Sequence, residues 1–252
     1  MTSGRTRAGR TAAGRGRWRF PGLQAVAGLI ILAGAGVVLY PQTASWFSQY
    51  EQSRVVELAE QQLDRPPNND ASYRRDQVDR ARAYNDALAI GALLSANTNV
   101  PTSGGSGDSA DDYHGLLNLT SDGVMGRLRY DALAIALPIY HGTADATLLK
   151  GIGHLEGTSL PVGGSGTRSV LTAHRGLANA TMFTDLDRAQ VGDSFTLEVL
   201  GEVLSYRVVD HTVVDPDQTE TLRAVPDRDL VTLVTCTPLG INTQRILVTG
   251  ER

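Results

Sequence analysis

Cysteine occurs once in this chain of 252 residues, and so does lysine, at Lys150. A lone thiol, Cys236, excludes a disulfide framework within the chain. It also excludes a zinc or iron–sulfur centre built on several thiolates. With 10 Pro and 27 Gly the chain is neither collagen-like nor a low-complexity polymer. No dinucleotide fingerprint is present, because neither Gly151-Ile152-Gly153 nor Gly163-Gly164-Ser165-Gly166 joins a strand to a helix with an acid downstream. His154-Leu155-Glu156 is not a zinc-protease motif, no two histidines stand at zinc-ligand spacing, and Ser159 and Ser165 lack a nucleophile elbow.

Acidic side chains are missing before Glu51, whereas six arginines precede Phe20. The net charge of −4 therefore hides a basic end on an acidic body, which without those arginines stands at −10. An acidic body does not suit nucleic acid. Between Phe20 and Tyr50 there is no charge at all. Gly22 to Tyr40, taken as a helix, spans roughly 29 Å at ~1.5 Å per residue. That matches a hydrocarbon core of about 30 Å. The arginines place the N-terminus in the cytoplasm, and Trp18, Tyr40 and Trp46 suit the interfaces. A cleaved signal peptide is the alternative, but no clear cleavage site follows the apolar run. Either way, the body is exported across the cell membrane.

Helical spacing recurs over Glu51 to Leu63, with Val55, Ala59 and Leu63 four apart, and Pro66-Pro67 closes it. A second helix is expected over Ser72 to Leu94. Pro101 to Asp112 is rich in Gly, Ser and Asp and reads as a long loop. From Val124 the texture turns to β. Strands are expected at Leu133–Tyr140, Ser169–His174, Ser194–Leu200, Val203–Val214, Leu230–Thr235 and Arg245–Thr249. Gly201-Glu202 makes a hairpin turn. Strands without helical crossovers point to an antiparallel barrel or sandwich. No internal repeat is present.

A single thiol on an exported protein is a liability unless it reacts, although a buried Cys also serves as a small apolar residue. Cys236 follows the strand ending at Thr235, and Arg245 opens the next. If those strands pair antiparallel, the guanidinium lies near the sulfur. It would lower the thiol pKa and could donate to an oxyanion; a surface salt bridge is its bland alternative. Acyl chemistry also needs a proton donor, and there are five histidines: 114, 141, 154, 174 and 211. His141 and His174 each close a β run, and pattern alone does not separate them.

Thr232-Leu-Val-Thr-Cys236-Thr-Pro, followed by Asn242-Thr-Gln-Arg245-Ile-Leu-Val-Thr-Gly, resembles the catalytic end of sortases, and of the pilin-polymerising class C in particular. Pro138–Thr143, Gly151–Gly164, Leu171-Thr-Ala-His-Arg-Gly176 and Phe183–Asp187 extend the resemblance over about residues 50 to 252. It implies Cys236 as nucleophile, His174 as general acid/base and Arg245 as oxyanion or substrate-orienting cation. It implies a mainly β fold, an eight-stranded sortase barrel with helices on its N-terminal side. The division is then a basic tail over 1–21, a transmembrane anchor over 22–40, a helical section over 41–123 with a lid-region loop at 95–113, and the catalytic barrel over 124–252.

The implied reaction is transpeptidation at a Gram-positive cell surface. The Thr–Gly bond of an LPXTG-like sorting signal breaks, a thioester forms, and a pilin lysine resolves it as an isopeptide. No metal or organic cofactor is implied. The implied partners are pilins or surface proteins carrying that signal, with no nucleic acid. Alternatives are attachment of single proteins to peptidoglycan, or a silent sortase-like scaffold in pilus assembly. Pilin-class members carry a lid with an Asp-Pro-aromatic motif. None occurs between Leu94 and Tyr113, so an uncovered Cys236 is expected, with Asp111 or Asp112 as the alternative lid residue. Since the chain stops just after the Arg245 strand, the N-terminal helix is the expected anchor.

Overall fold

The computed structural model describes residues 22–88, 92–93, 102–103, 113–177 and 180–252. It divides into two compact units, Met1–Pro41 and Gln42–Arg252. In the first, Gly22–Tyr40 is 19 residues of mean hydropathy 2.2, long and apolar enough to cross a bilayer. Its Leu29, Ile31 and Val37 are exposed to the surroundings, as in a helix apolar all round.

Helix α1 is Gly22–Leu63, so Glu51–Leu63 is not a separate helix. Gln42 to Tyr50 contains neither Gly nor Pro, so nothing in that stretch interrupts a helix. Within the second unit, Val55 and Ala59 pack on Val124 and Tyr140. Gln49 and Gln52 donate to Thr181 and Met182. Helix α2 is Ala71–Ala87, capped by Asp70, whose carboxylate accepts the Ser72 N–H at 2.7 Å. It ends before the expected Leu94. Asn85 has turned its side chain to the Leu160 backbone, accepting at 2.6 Å and donating at 3.1 Å. The short strands β1 (Ala92–Leu93) and β2 (Thr102–Ser103) pair antiparallel beyond it. The rest of the lid region, with Asp111 and Asp112, lies outside the described residues.

Eight strands close the barrel: β3 (Val124–Tyr130), β4 (Ile135–His141), β5 (Ile152–His154), β6 (Thr167–Thr172), β7 (Ser194–Val199), β8 (Glu202–Val214), β9 (Asp229–Thr237) and β10 (Gln244–Glu251). Their order is β10-β8-β7-β3-β4-β5-β6-β9. Two pairs, β4–β5 and β6–β9, are parallel, which corrects the expectation of an antiparallel sheet. β5 escaped the sequence reading because three residues are too few for a period. The β4 segment starts at Ile135 rather than Leu133, since Asp131–Leu133 forms a 3-10 turn ending on Ala134 at φ 52°. β6 stops at Thr172, leaving His174 beyond the strand. β9 runs on to Thr237, so Cys236 lies inside a strand and not after one.

Alternation explains the core. Phe195, Leu197 and Val199 of β7 face inward with Leu204, Tyr206 and Val208 of β8. The hairpin between them turns on Leu200 and Gly201, at φ 49° and 82°, and not on Gly201-Glu202. Two successive positive φ values match the right-handed twist of the strands. In β9 every residue from Leu230 to Cys236 is buried. Such a run needs cover on both faces. Leu233 faces the barrel interior with Ile246 and Val248, while Val234 joins an outer cluster of Leu155, Val170, Val214, Leu222 and Leu247. Tyr113, Leu116 and Leu117 belong to the interior core, so the segment before β3 packs with the barrel.

Gly250 marks a close fit between side chains of the core. A Cβ there would lie 2.5 Å from Phe195 Cε1 and 3.0 Å from Tyr206 Cβ, whose rings are stacked. Gly250→Ala is therefore expected to cost about 1–3 kcal/mol, read as a lowered melting temperature with the β signal of circular dichroism retained.

Candidate active site

The thiol, a guanidinium and an imidazole are brought together by strand register. β10 pairs antiparallel with β9, and Arg245 is the direct cross-strand partner of Cys236. Directly opposed residues project on the same face with Cβ atoms roughly 5 Å apart. On the other side β6 runs parallel to β9, with Thr172 level with Val234. The Ala173 N–H continues that pairing to the Val234 carbonyl, and the Thr235 hydroxyl donates to the Ala173 carbonyl at 2.8 Å. His174 follows two residues past Thr172, and the next residue, Arg175, donates to Thr237 Oγ1, the neighbour of Cys236, at 2.9 Å. Cys236 therefore has Arg245 across from it on the β10 side and the His174 segment on the β6 side.

All three side chains are buried. Cys236 is 4% exposed, His174 9% and Arg245 0%. Arg245 is thus no surface ion-pair residue. Its Nη1 donates to the carbonyls of Asn242 and Gln244, both at 2.9 Å, which ties it to the turn between β9 and β10. Asn242 reaches that turn at φ 61°, a conformation Asn tolerates well.

Burial governs the titrations. It pushes the Cys236 thiol above its ordinary value, and Arg245 only partly pulls it back. This corrects the expectation of a thiol lowered by its positive neighbour: desolvation of the thiolate outweighs one guanidinium. Burial also lowers His174, with the Asp145 carboxylate opposing. Asp145 opens the one-turn helix Asp145–Leu148 between β4 and β5. The resting pair at neutral pH is accordingly thiol and neutral imidazole. Such a pair can pass a proton from sulfur to nitrogen as sulfur attacks a carbonyl.

The other histidines are occupied elsewhere. His154 is fully buried, its Nδ1 facing the Tyr113 hydroxyl at 3.0 Å and its Nε2 the Ser159 carbonyl at 2.9 Å. Burial lowers it to about 4. His141, which pattern could not separate from His174, has both ring nitrogens against carbonyls, those of Gly123 and Leu116. His211 faces the Ala189 carbonyl. His114 and His141 line a cavity of about 440 Å³ with Lys150, and none of Cys236, His174 or Arg245 takes part in it.

Sequence reasoning gave no role to Asp145 or to Arg175. Arg175 bonds to Thr184, Thr237 and Asp187 beside the site. Its one signal was adjacency to His174; Asp145 had none, because a parallel β4–β5 crossover was not anticipated.

Residues 128–252 match the sortase domain family model. Sortase C-1 of Actinomyces oris superposes with a TM-score of 0.66 at 45% identity, covering 72% of this chain and 98% of that one. Sortase C of Streptococcus pneumoniae gives 0.68 at 34% identity, over 79% and 96% of the two chains. Sortase A of Streptococcus agalactiae is 28% identical over 131 residues, 51% of this chain and 52% of that protein. The chain thus spans about half the length of that curated relative.

Alkylation of Cys236 by iodoacetamide should rise only above the pH that suits an exposed cysteine. Arg245→Gln removes the charge that favours the thiolate and should shift the onset higher still. Asp145→Asn should shift the His174 titration further down, read by NMR of the ring protons. A wild-type thiol that reacts at lower pH than free cysteine contradicts the dominance of burial.

Proposed function

Because the chain belongs to the sortase family, we propose that it is a class C-like, membrane-anchored cysteine transpeptidase that joins pilin subunits. What supports the chemistry is one observation, the register that sets Arg245 opposite Cys236, with the His174 segment returned to β9 beside it through Arg175 and Thr237. What supports the class is the likeness to the sortase C enzymes of A. oris and S. pneumoniae, the latter described in terms of pilin substrate specificity.

Cys236 Sγ attacks the Thr carbonyl of an LPXTG-like signal as its proton passes to His174. The carbonyl oxygen becomes an oxyanion, which accepts hydrogen bonds from Arg245. Removing one such donor typically costs about 2.7–4 kcal/mol of barrier. The Thr–Gly bond then breaks, and the imidazolium gives its proton to the departing Gly amine. A thioester remains. The ε-amine of a pilin lysine attacks it, His174 takes its proton and passes it to the departing Cys236 sulfur, and the isopeptide bond forms as the thioester breaks. A neutral starting pair fits this cycle, since His174 must alternately accept and release one proton.

The anchor reading completes the proposal. Residues 1–21 form the cytoplasmic tail, 22–40 cross the membrane once, and the remainder, with the barrel over 124–252, works outside. Confining enzyme and substrate to one surface raises their effective concentration without a new contact.

Cys236→Ala is expected to abolish cleavage of an LPXTG-type peptide, measured by release of the Gly-terminal fragment; wild-type turnover in that variant would falsify the mechanism. In a deletion strain, mass spectrometry of covalently joined surface proteins should show loss of pilin ladders. Intact ladders with release of single unlinked proteins would instead identify peptidoglycan as the acceptor.

A further inference from the structure

Arg175 follows His174 directly, and its guanidinium reaches three segments. Nε donates to the Thr184 carbonyl at 3.0 Å, Nη1 donates to Thr237 Oγ1 at 2.9 Å, and Nη2 pairs with Asp187 Oδ2 at 2.6 Å. The side chain is only 10% exposed. Three fixed directions of this kind suit a planar fork and exceed what a lysine ammonium on a flexible stem can hold.

The need for such a fork lies in where the sheet stops. The last links between the His174 chain and β9 are made by Ala173, to Val234 and Thr235. From there the His174 turn leaves the sheet. Its carbonyl accepts the Phe183 N–H at 3.1 Å, and the Gly176 N–H donates to Thr184 Oγ1 at 3.2 Å. The backbone that carries the imidazole is thereby tied to the 183–184 segment, while the thiol is carried by β9. On the β9 side, Thr237 is the last strand residue, and Pro238 after it has no N–H to offer. The Arg175–Thr237 bond spans this gap, one residue beyond His174 on one side and one beyond Cys236 on the other.

We propose that Arg175, braced by Asp187, is a positioning residue that sets the separation of the His174 imidazole and the Cys236 thiol by clamping Thr237. The inference rests on the reading of His174 and Cys236 as the reacting pair. Charged side chains on the elements around them are Asp145, Arg175 with Asp187, Asp185 and Arg188 on the same segment, Arg245, and Asp215 against Gln244.

The test uses the full chain and two readouts. In the first, the rate of Cys236 alkylation is followed against pH. Titration of a neighbouring imidazole gives the wild type a second step, which His174→Gln removes. Arg175→Lys and Thr237→Val should lose that step with melting temperature unchanged, whereas Thr237→Ser, which keeps the hydroxyl, retains it. In the second, kcat on a sorting-signal peptide should fall about 10- to 100-fold with KM unchanged. The double variant should be no worse than either single one, since both remove the same bond. The clamp is overturned if the step and kcat survive in either variant, if the losses multiply, or if melting temperature falls in parallel. A wild type that cleaves no sorting peptide but shows the expected alkylation pattern overturns the functional reading and leaves the clamp standing.

Discussion

Strand β9 is held on one edge by an antiparallel neighbour and on the other by a parallel one, and its residues Leu230 to Cys236 are buried on both faces. That double constraint fixes both the position along the strand and the face. A slip by one residue would turn Cys236 into the barrel interior and Leu233 out of it. The interior packing of Leu233, Ile246 and Val248 forbids the slip. Core packing and the geometry of the candidate site are therefore the same set of contacts seen from two faces.

Burial exacts a chemical consequence. A site closed enough to hold a thiol, an imidazole and a guanidinium in order also desolvates them. The thiol rises and the imidazole falls, so both rest uncharged. Arg245, fully buried, is held by the Asn242 and Gln244 carbonyls. The proposed chemistry accordingly starts from a neutral pair and develops charge as substrate arrives, with Arg245 proposed to meet it from its place opposite Cys236. Preorganised donors of this kind cost no rearrangement at the moment of reaction.

Around that centre the loops divide the labour. The β9–β10 turn orients the guanidinium. The crossover from β4 to β5, which a parallel pair requires, carries Asp145 toward His174. The segment after β6 carries the imidazole away from the sheet and is returned to β9 by Arg175. His141 and His154, by contrast, are absorbed into the packing around Tyr113.

Much of this was legible in the chain itself. The charge-free run after six arginines marks a membrane-length helix because lipid tolerates nothing else. The alternation of β7 and β8 shows because one face of each is solvated. The motifs around Cys236, His174 and Arg245 singled out those residues by resemblance. Hydrophobic pattern could not reveal β5, too short to have a period, nor the end of α2 at Ala87, near which Asn85 bonds to a backbone distant in sequence. Nor could it settle the thiol, since a sequence shows which charge stands nearby but not how much water has been removed. The parallel β6–β9 pairing and the bridge from Arg175 to Thr237 join residues about sixty positions apart. Closing the barrel decides them, because only closure brings β6 and β9 edge to edge.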